Sequence, residues 1–242
     1  LQTYEEVENG RRPKEALRVV VVGGGPTGVE LSGAIAELQR AMRREFPDLV
    51  DLGSVTLVEA GPRLLPSFSE KSSEHARHEL EQLDVVVRVD SAVDRMYPTD
   101  VHLKSGDVLT AGTMIWAAGV AAPAEWKDLG VTDRAGRLEV SPTLQLDESI
   151  WVIGDIAHVE GADGRPLPMV ASVAMQMGRY VAKAIVARNK GEQSSPFSYK
   201  DKGQMATIGR RRAVVETPRG VRLHGTPAWF GWLGLHVFYL AG

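Results

Sequence analysis

Four valines in succession, Val19 to Val22, extend an apolar run that begins at Leu17 and stops abruptly at three glycines. A run of this kind, without polar alternation, is the pattern of a strand covered on both faces in a parallel sheet. Beyond Gly28 the period becomes helical. Leu31, Ile35 and Leu38 fall on one stripe of "VELSGAIAEL", so the glycines sit where a strand turns into a helix. Val55 to Val58 predict a second apolar strand, ending on Glu59. Ser69 to Leu83, with charged faces and one apolar stripe, predicts a surface helix, and "DVVVRV" predicts a strand. "DVHLKSGDVLT" reads as a hairpin turning at Ser105 to Asp107, and "TMIWAAGV" as a buried strand ending at Ala118 and Gly119. Later, Ile150 to Ile153 predict a strand that stops at Gly154 and Asp155. A proline-rich stretch then leads into a long helix from about Pro168 to Arg188. The fold class expected is α/β, with a Rossmann-like domain at its start.

The glycine turn has a chemical reading. Gly23, Gly25 and Gly28 follow a strand and open a helix, as the dinucleotide fingerprint requires. Gly23 allows the tight turn, Gly25 lets the backbone approach a pyrophosphate with no Cβ in the way, and Gly28 lets helix and strand pack closely. Free amides at the helix N-terminus and the positive end of its dipole then stabilise the phosphates. No basic side chain is needed in the loop, which comprises Gly23, Gly24, Gly25, Pro26, Thr27 and Gly28. The bland alternative is a doubly wound domain whose glycine turn binds nothing.

Glu59, followed by Ala60, closes the second strand. A carboxylate there accepts both ribose hydroxyls of an adenosine and repels a 2'-phosphate, which favours NADH over NADPH. Glu59 lies 31 residues after Gly28, against roughly 20 in the general pattern, because "QRAMRREFPDLVDLG" lengthens the connection. Arg63 nearby keeps NADPH open, and an exposed strand-end acid is the plain alternative for Glu59. Gly119 permits close approach to a ligand or makes an ordinary turn. Gly154 and Asp155 place an acid at a strand's carboxyl end, where ligand hydroxyls bind in open sheets, or again make only a turn.

Composition narrows the chemistry. The chain has 242 residues, 43% hydrophobic, and a net charge of -3, enough for one large core or two smaller ones and no bulk attraction to nucleic acid. With no cysteine, a disulfide scaffold, a thiolate metal site and a redox-active cysteine pair are excluded, so any electrons must travel on a bound cofactor. The first residues carry neither an initiating methionine nor an export signal, and the chain reads as part of something longer. His75 and His78 are three apart, but with no third ligand in view they read as a solvated helix face, and no metal site is expected. Arg210 to Arg212 read as a solvated loop or a membrane-facing rim.

Taken in order, "VVVGGGPTGVELSGAIAEL", "VTLVEAGPRLLP", "IWAAGV", "VIGDIAHV" and "YKDKGQMATIGR" resemble the type II NADH dehydrogenases, single-subunit flavoenzymes that oxidise NADH and reduce quinone. The resemblance runs from about Arg18 to Gly242. It implies that Gly154 and Asp155 belong to the FAD motif, and that the helix beginning near Met169, Val170 and Ala171 aims its N-terminus at the flavin ring, whose reduced form is anionic. It implies that Glu30 lies by the nicotinamide and flavin, that Gln176 faces the quinone headgroup, and that Lys202 lies near the flavin edge. For these three the alternatives are a helix-start acid, a satisfied buried glutamine and an exposed lysine. Met169, Val173, Gln176 and Tyr180 share a helical face, but where relatives often carry another glutamine this chain has Ser172.

The resemblance further implies a two-dinucleotide-binding-domain flavoprotein fold: residues 1–16 a connecting segment, 17–122 the NADH-binding domain, 123–195 the second part of an FAD-binding domain, and 196–242 the start of a membrane-associated region. Only the NADH fingerprint is present. The stretch from Trp229 to Ala241 is almost wholly apolar, yet at ~1.5 Å per residue it reaches ~20 Å, short of a ~30 Å hydrocarbon core. A peripheral anchor on the inner, cytoplasmic face of the cell membrane suits both this segment and a lipid-dissolved quinone; a core helix or an oligomer contact, as in a homodimer, is the alternative. A reductase of a soluble electron carrier and a non-catalytic NADH-binding module remain the rival functions.

Overall fold

The computed structural model describes residues 1–49 and 53–240. Part of the long connection before the second strand, and the Ala241 end of the apolar tail, therefore lie outside the described residues. The chain forms two compact units: Leu1–Gly119 together with Gly203 onward, and Val120–Lys202.

The first 119 residues form α1 (Gln2–Glu8), β1 (Val19–Val22), α2 (Pro26–Met42), β2 (Val55–Val58), α3 (Glu70–Glu81), β3 (Val85–Arg88), a meander of β4 (Val93–Met96), β5 (Asp100–Leu103) and β6 (Val108–Thr110), and β7 (Thr113–Trp116). Four of these make a parallel sheet ordered β3-β2-β1-β7, with Val19 opposite both Val55 and Thr113. Both faces of β1 are covered, which explains the unbroken valines. Val21 packs with Leu57, Val29 and Leu80 beneath the helices, while Val20 and Val22 pack with Val58, Val101 and Leu103 beneath the meander. Each such side chain contributes roughly 1.5–3 kcal/mol by leaving water. The segment before β1 is more than a connector: Val7 and Leu17 bury against Phe46 and Leu49.

In the first unit two sequence expectations need correction. β7 is not buried: it ends the sheet with β1 as its one neighbour, and Trp116 is 59% exposed. The stripe of Leu31, Ile35 and Leu38 enters the core only in part: Ile35 packs against it. Leu38 is 59% exposed, and the buried positions are Gly28, Val29, Ser32, Gly33 and Ala36. Small residues are required there because another backbone lies against the helix.

That backbone comes after the second unit. The second unit, Val120–Lys202, contains the short parallel pair β8 (Leu138–Glu139) and β9 (Ala157–His158), and the helix α4 (Ala171–Asn189). Val173, Met177 and Val181, spaced by four, face Leu138, Leu144 and Val152. The strand expected at 150–153 is not formed. Trp151 makes a single antiparallel bridge to Gln145, and Val152 donates to the Leu144 carbonyl at 2.9 Å, so the segment folds back on residues 144–146. Asp133 organises the unit's other end. Its Oδ1 accepts the amides of Ala135 and Arg137, each at 2.9 Å. Its Oδ2 meets Arg137 Nε and His158 Nδ1, each at 2.8 Å.

From Gly203 the chain rejoins the first unit as an antiparallel sheet, β10 (Gln204–Gly209), β11 (Arg212–Glu216) and β12 (Arg222–His224), followed by α5 (Gly225–Leu240). β10 lies on α2, where a Cβ at Gly33 would overlap the Ile208 carbonyl oxygen.

Candidate functional site

In the first unit the structure gathers the fingerprint, Glu59 and the end of β7 around one turn. Gly23 has φ +112°, and a Cβ on it would lie 2.6 Å from the Ala117 carbonyl carbon and 2.7 Å from the Ala118 Cα, so the glycine turn and the end of β7 touch. A Cβ on Gly28 would overlap the Gly23 carbonyl oxygen. Gly23 and Gly28 are thus demanded by the protein's own packing. Gly25 is different. It has φ -71° and nothing within 4 Å of its missing Cβ, so no internal contact or strain requires glycine there. The space is open on the side a ligand backbone would use.

Gly25 also caps α2, with Pro26 in the first turn and no side-chain cap. Pro26 has no amide hydrogen to lose, and the amides of Thr27 and Gly28 belong to the helix's unsatisfied first turn. Together with the dipole they form an anion-accepting end.

Glu59 is held in place beneath this turn. Its Oε2 accepts the Gly24 amide at 2.6 Å, and its Oε1 accepts the Gly61 amide at 2.7 Å. A carboxylate has about four lone-pair positions, so two amides fix the group and leave capacity for ligand hydroxyls. Ala60 is exposed beside it. Arg63 points elsewhere: Nη1 donates to the Phe68 carbonyl and the Ser73 hydroxyl, both at 2.7 Å, and Nη2 to the Pro66 carbonyl at 2.8 Å. The cation that left NADPH open is committed to bracing the chain between β2 and α3. Ala118 and Gly119 are exposed, and Gly119 has φ +97°, a left-handed conformation natural to glycine.

Glu30, half-buried in the first turns of α2, accepts the Thr207 amide at 3.0 Å through Oε1. Its partner lies on β10, 177 positions away, and no local pattern announced it.

In the second unit, Gly154 (φ +71°) and Asp155 form one 3-10 turn, Gly154–Ile156. The Gly154 amide points at the Met177 sulfur, 3.2 Å away, so the turn rests on α4. Asp155 is exposed, with no hydrogen-bond partner among the described residues. α4 starts where expected: Val170 is its cap residue, Ala171 its first residue, and no side chain caps it. Met169, Val170 and Ala171 precede or open the helix, with Val170 and Ala171 exposed. A free carboxylate and an uncapped helix start within one unit fit a ligand carrying hydroxyls at one place and negative charge at another.

Gln176 is satisfied within its unit. Nε2 donates to the Lys200 carbonyl at 3.0 Å and Oε1 accepts the Lys200 amide at 3.0 Å, which leaves one Nε2 hydrogen uncommitted. Ser172, where relatives often carry glutamine, shares a hydrogen bond of 3.0 Å with the Tyr199 hydroxyl. These contacts pin the segment that leads to Lys202, which is exposed.

The His75 expectation changes. His75 is half-buried rather than solvated, with its ring centroid 4.7 Å from that of His224 and its Nε2 3.6 Å from Glu79. Among the described residues no group of three or more His, Cys, Asp or Glu side chains could hold a metal. No helix described is long and apolar enough to cross a membrane. α5 nonetheless exposes Phe230 (61%), Phe238 (68%) and Leu240 (87%).

Comparison with known proteins bears on the family and the fold. The pyridine nucleotide-disulphide oxidoreductase family profile matches residues 1–178. The type II NADH:quinone oxidoreductase Ndh of Mycobacterium tuberculosis is 34% identical, the alignment covering all of this chain and 55% of that one. The type II NADH:quinone oxidoreductase of Haemophilus influenzae is 33% identical over 87% of this chain and 49% of its own length. The chain therefore spans about half the length of the curated relatives it matches. Among solved structures, NDH2 of Plasmodium falciparum in complex with NADH superposes with a TM-score of 0.87 over 99% of this chain and 66% of that one, at 19% identity. An FAD-dependent pyridine nucleotide-disulphide oxidoreductase of Desulfovibrio vulgaris superposes with a TM-score of 0.61, covering 89% and 52%, at 22% identity. The chain is similar along its length to type II NADH:quinone oxidoreductases, and it belongs to the pyridine nucleotide-disulphide oxidoreductase family.

Proposed function

We propose that this chain supplies the NADH-binding unit and part of the FAD-binding unit of an enzyme that oxidises NADH and passes the electrons through FAD to a membrane quinone. The observation that carries the reading is Gly25. Its neighbours in the fingerprint are glycine because the fold would collide with a side chain, whereas Gly25 faces open space at an uncapped helix end. A glycine with no internal reason, beside free amides, is explained by a ligand whose phosphates approach the backbone.

Within this reading Glu59 takes the adenosine ribose. Its two amide bonds orient it before the ligand arrives, and the inward commitment of Arg63 removes the cation a 2'-phosphate would need. Asp155 accepts hydroxyls or orients the phosphate part of the flavin nucleotide, and the start of α4, from Met169 to Ala171, faces the charge of the reduced ring. Glu30 borders the reacting rings while tying α2 to β10. Gln176 steadies the Lys200–Lys202 segment and offers its remaining N–H to the quinone headgroup. Bound together, NADH and FAD would supply the hydride transfer and electron storage; the protein contributes position and electrostatics. α5 would rest at the inner membrane surface by its exposed aromatic and aliphatic side chains.

The test is a fluorescence titration of NADH against the wild-type chain and Gly25→Val. The variant is expected to keep its folded spectrum and lose at least tenfold in affinity. Equal affinity in the two proteins would remove the reading's foundation.

A further inference from the structure

The tight turn between β10 and β11 consists of two residues, Arg210 and Arg211, between the paired Gly209 and Arg212. Arg211 has φ +63°, a conformation that favours glycine, asparagine or aspartate and is strained for a long side chain. Arg211 thus occupies a turn position whose backbone would be better served by a smaller residue. Both are exposed, and among the described residues neither guanidinium has a hydrogen-bond or ion-pair partner.

Beneath the turn lies an open hollow of about 480 Å³ lined by Glu37, Arg40, Leu83, Arg210, Arg211 and Arg212. Its other cations are already held. Arg40 bonds the Gln82 carbonyl at 2.5 Å and Asp84 at 3.2 Å, and Arg212 meets Glu79 at 2.5 Å. These pairs fix the rim, with Asp84 shared between Arg40 and Arg43, and leave Arg210 and Arg211 as the guanidiniums without a carboxylate partner among the described residues. Glu37 accepts the Arg210 amide at 2.7 Å, and Gly209 leaves room for it: a Cβ there would lie 2.8 Å from the Glu37 carboxylate. The hollow therefore presents two unpaired guanidiniums and one carboxylate beside the single apolar side chain of Leu83. Guanidinium recognises phosphate by paired N–H donors, and a carboxylate beside it suits a hydroxyl donor.

We propose that the Arg210–Arg211 turn and this hollow bind a phosphate diester carrying a hydroxylated head, presented foremost by an acidic phospholipid. The Arg211 carbonyl accepts the Thr226 hydroxyl at 3.3 Å, in the first turn of α5. A helix lying in the interface keeps both ends at headgroup depth, so this bond sets the arginines at that depth. The proposal rests on the reading of α5 as a peripheral membrane element, and adds to it a choice of lipid.

Vesicle co-sedimentation of the full chain tests it, using phosphatidylcholine alone and phosphatidylcholine mixed with phosphatidylglycerol. At about 1 kcal/mol per basic residue near an anionic surface, the two arginines predict a preference of about 25-fold for the mixed vesicles. In the double variant Arg210→Gln/Arg211→Asn, whose asparagine accepts the left-handed conformation, that preference disappears while binding to phosphatidylcholine is unchanged. A variant that keeps the preference overturns the proposal and leaves the α5 reading standing. If the wild-type chain binds neither vesicle, the α5 reading fails. The site is then decided by titrating inorganic phosphate and following the Arg210 and Arg211 amide resonances. Saturable shifts that the double variant abolishes support the site with soluble phosphate as its source, and unshifted resonances overturn it.

Discussion

The Glu30 carboxylate accepts the Thr207 amide at 3.0 Å, joining the helix that follows the glycine turn to a strand 177 residues further along the chain. A residue just after the glycine turn is therefore also a clasp that holds β10 against α2. Glu30→Ala leaves the Thr207 amide without this partner and is expected to lower unfolding free energy by about 1–3 kcal/mol, read as a reduced urea midpoint. Glu30→Gln keeps an acceptor oxygen and should stay within about 1 kcal/mol of wild type. In the full-length enzyme, a purely structural Glu30 predicts equal turnover in wild type and Glu30→Gln. The proposed position by the reacting rings predicts a lower rate for the glutamine variant at unchanged stability.

Gly33 and Gly25 should respond in opposite ways to a single methyl group. A Cβ at Gly33 meets the Ile208 carbonyl oxygen, and neither backbone can yield without opening the α2–β10 contact. Gly33→Ala is expected to cost at least the 1–3 kcal/mol typical of overpacking, seen as a lower urea midpoint or a loss of soluble protein. Gly25→Ala should unfold like wild type and show its defect in NADH titration alone.

Glu59 governs the choice between nicotinamide cofactors in the proposed site. Glu59→Gln keeps one acceptor for the Gly24 or Gly61 amide, turns an NH2 group toward the other, and removes the negative charge. Loss of a charged hydrogen-bond pair to the ribose, about 1.5–3 kcal/mol, predicts roughly tenfold or more weaker NADH binding. NADPH should lose much less, because the wild-type carboxylate repels its phosphate. Parallel titrations give the ratio. A ratio unchanged from wild type would show that Glu59 does not face the ribose.

Acid should weaken the second unit through Asp133. Burial alone would raise this carboxyl, but hydrogen bonds from His158, from the Arg137 amide and guanidinium, and from the Ala135 amide outweigh it and hold the group well below the usual carboxylate range. The unfolded chain then takes up the proton first as pH falls. The contribution of Asp133 to stability is complete above the ordinary aspartate range near 4, and it is lost progressively as pH drops below that. Urea midpoints measured between pH 6 and pH 3 should decline for wild type. Asp133→Asn should be less stable at pH 6 and show a shallower decline.

His75 predicts a second acid-sensitive step at higher pH, in the first unit. Burial, then neighbouring His224, lower its pKa, with Glu79 acting the other way and His78 adding to the decrease. Glu216, which accepts from Ser69 and Ser72 beside His224, is itself held low because those hydrogen bonds outweigh burial. The folded state thus prefers neutral His75. Stability is full above the ordinary histidine pKa near 6.5 and falls as pH drops below it, since the unfolded chain binds the proton more readily. His75→Asn should flatten the urea-midpoint profile between pH 7 and pH 5 while leaving the Asp133 region of the curve unchanged.

Local sequence determined a good deal of this protein. Unbroken valines specify a strand covered on both sides, glycines between strand and helix specify the turn, and Glu59 follows its strand directly, where folding brings it within reach of the Gly24 and Gly61 amides. These features were legible because each depends on backbone geometry and burial within about ten residues. Position 25 was legible for the same reason, although only the structure separated it from Gly23 and Gly28, whose missing side chains are demanded by the Ala117–Ala118 backbone and the Gly23 carbonyl.

Tertiary structure decided what depended on partners distant in sequence. The helical stripe placed Leu31, Ile35 and Leu38 together, but of these Ile35 packs on the core while Leu38 is exposed, because β10 lies against Gly33 and small residues fill the contact. The apolar pattern at 150–153 suggested a strand, but the backbone partners it finds are residues 144–146. Gln176 and His75 read as available polar groups until folding supplied their partners: the Lys200 backbone and the ring of His224. Periodicity records which side of an element leaves water, whereas the atom that meets a given polar group is set by where chains far apart in sequence come to lie.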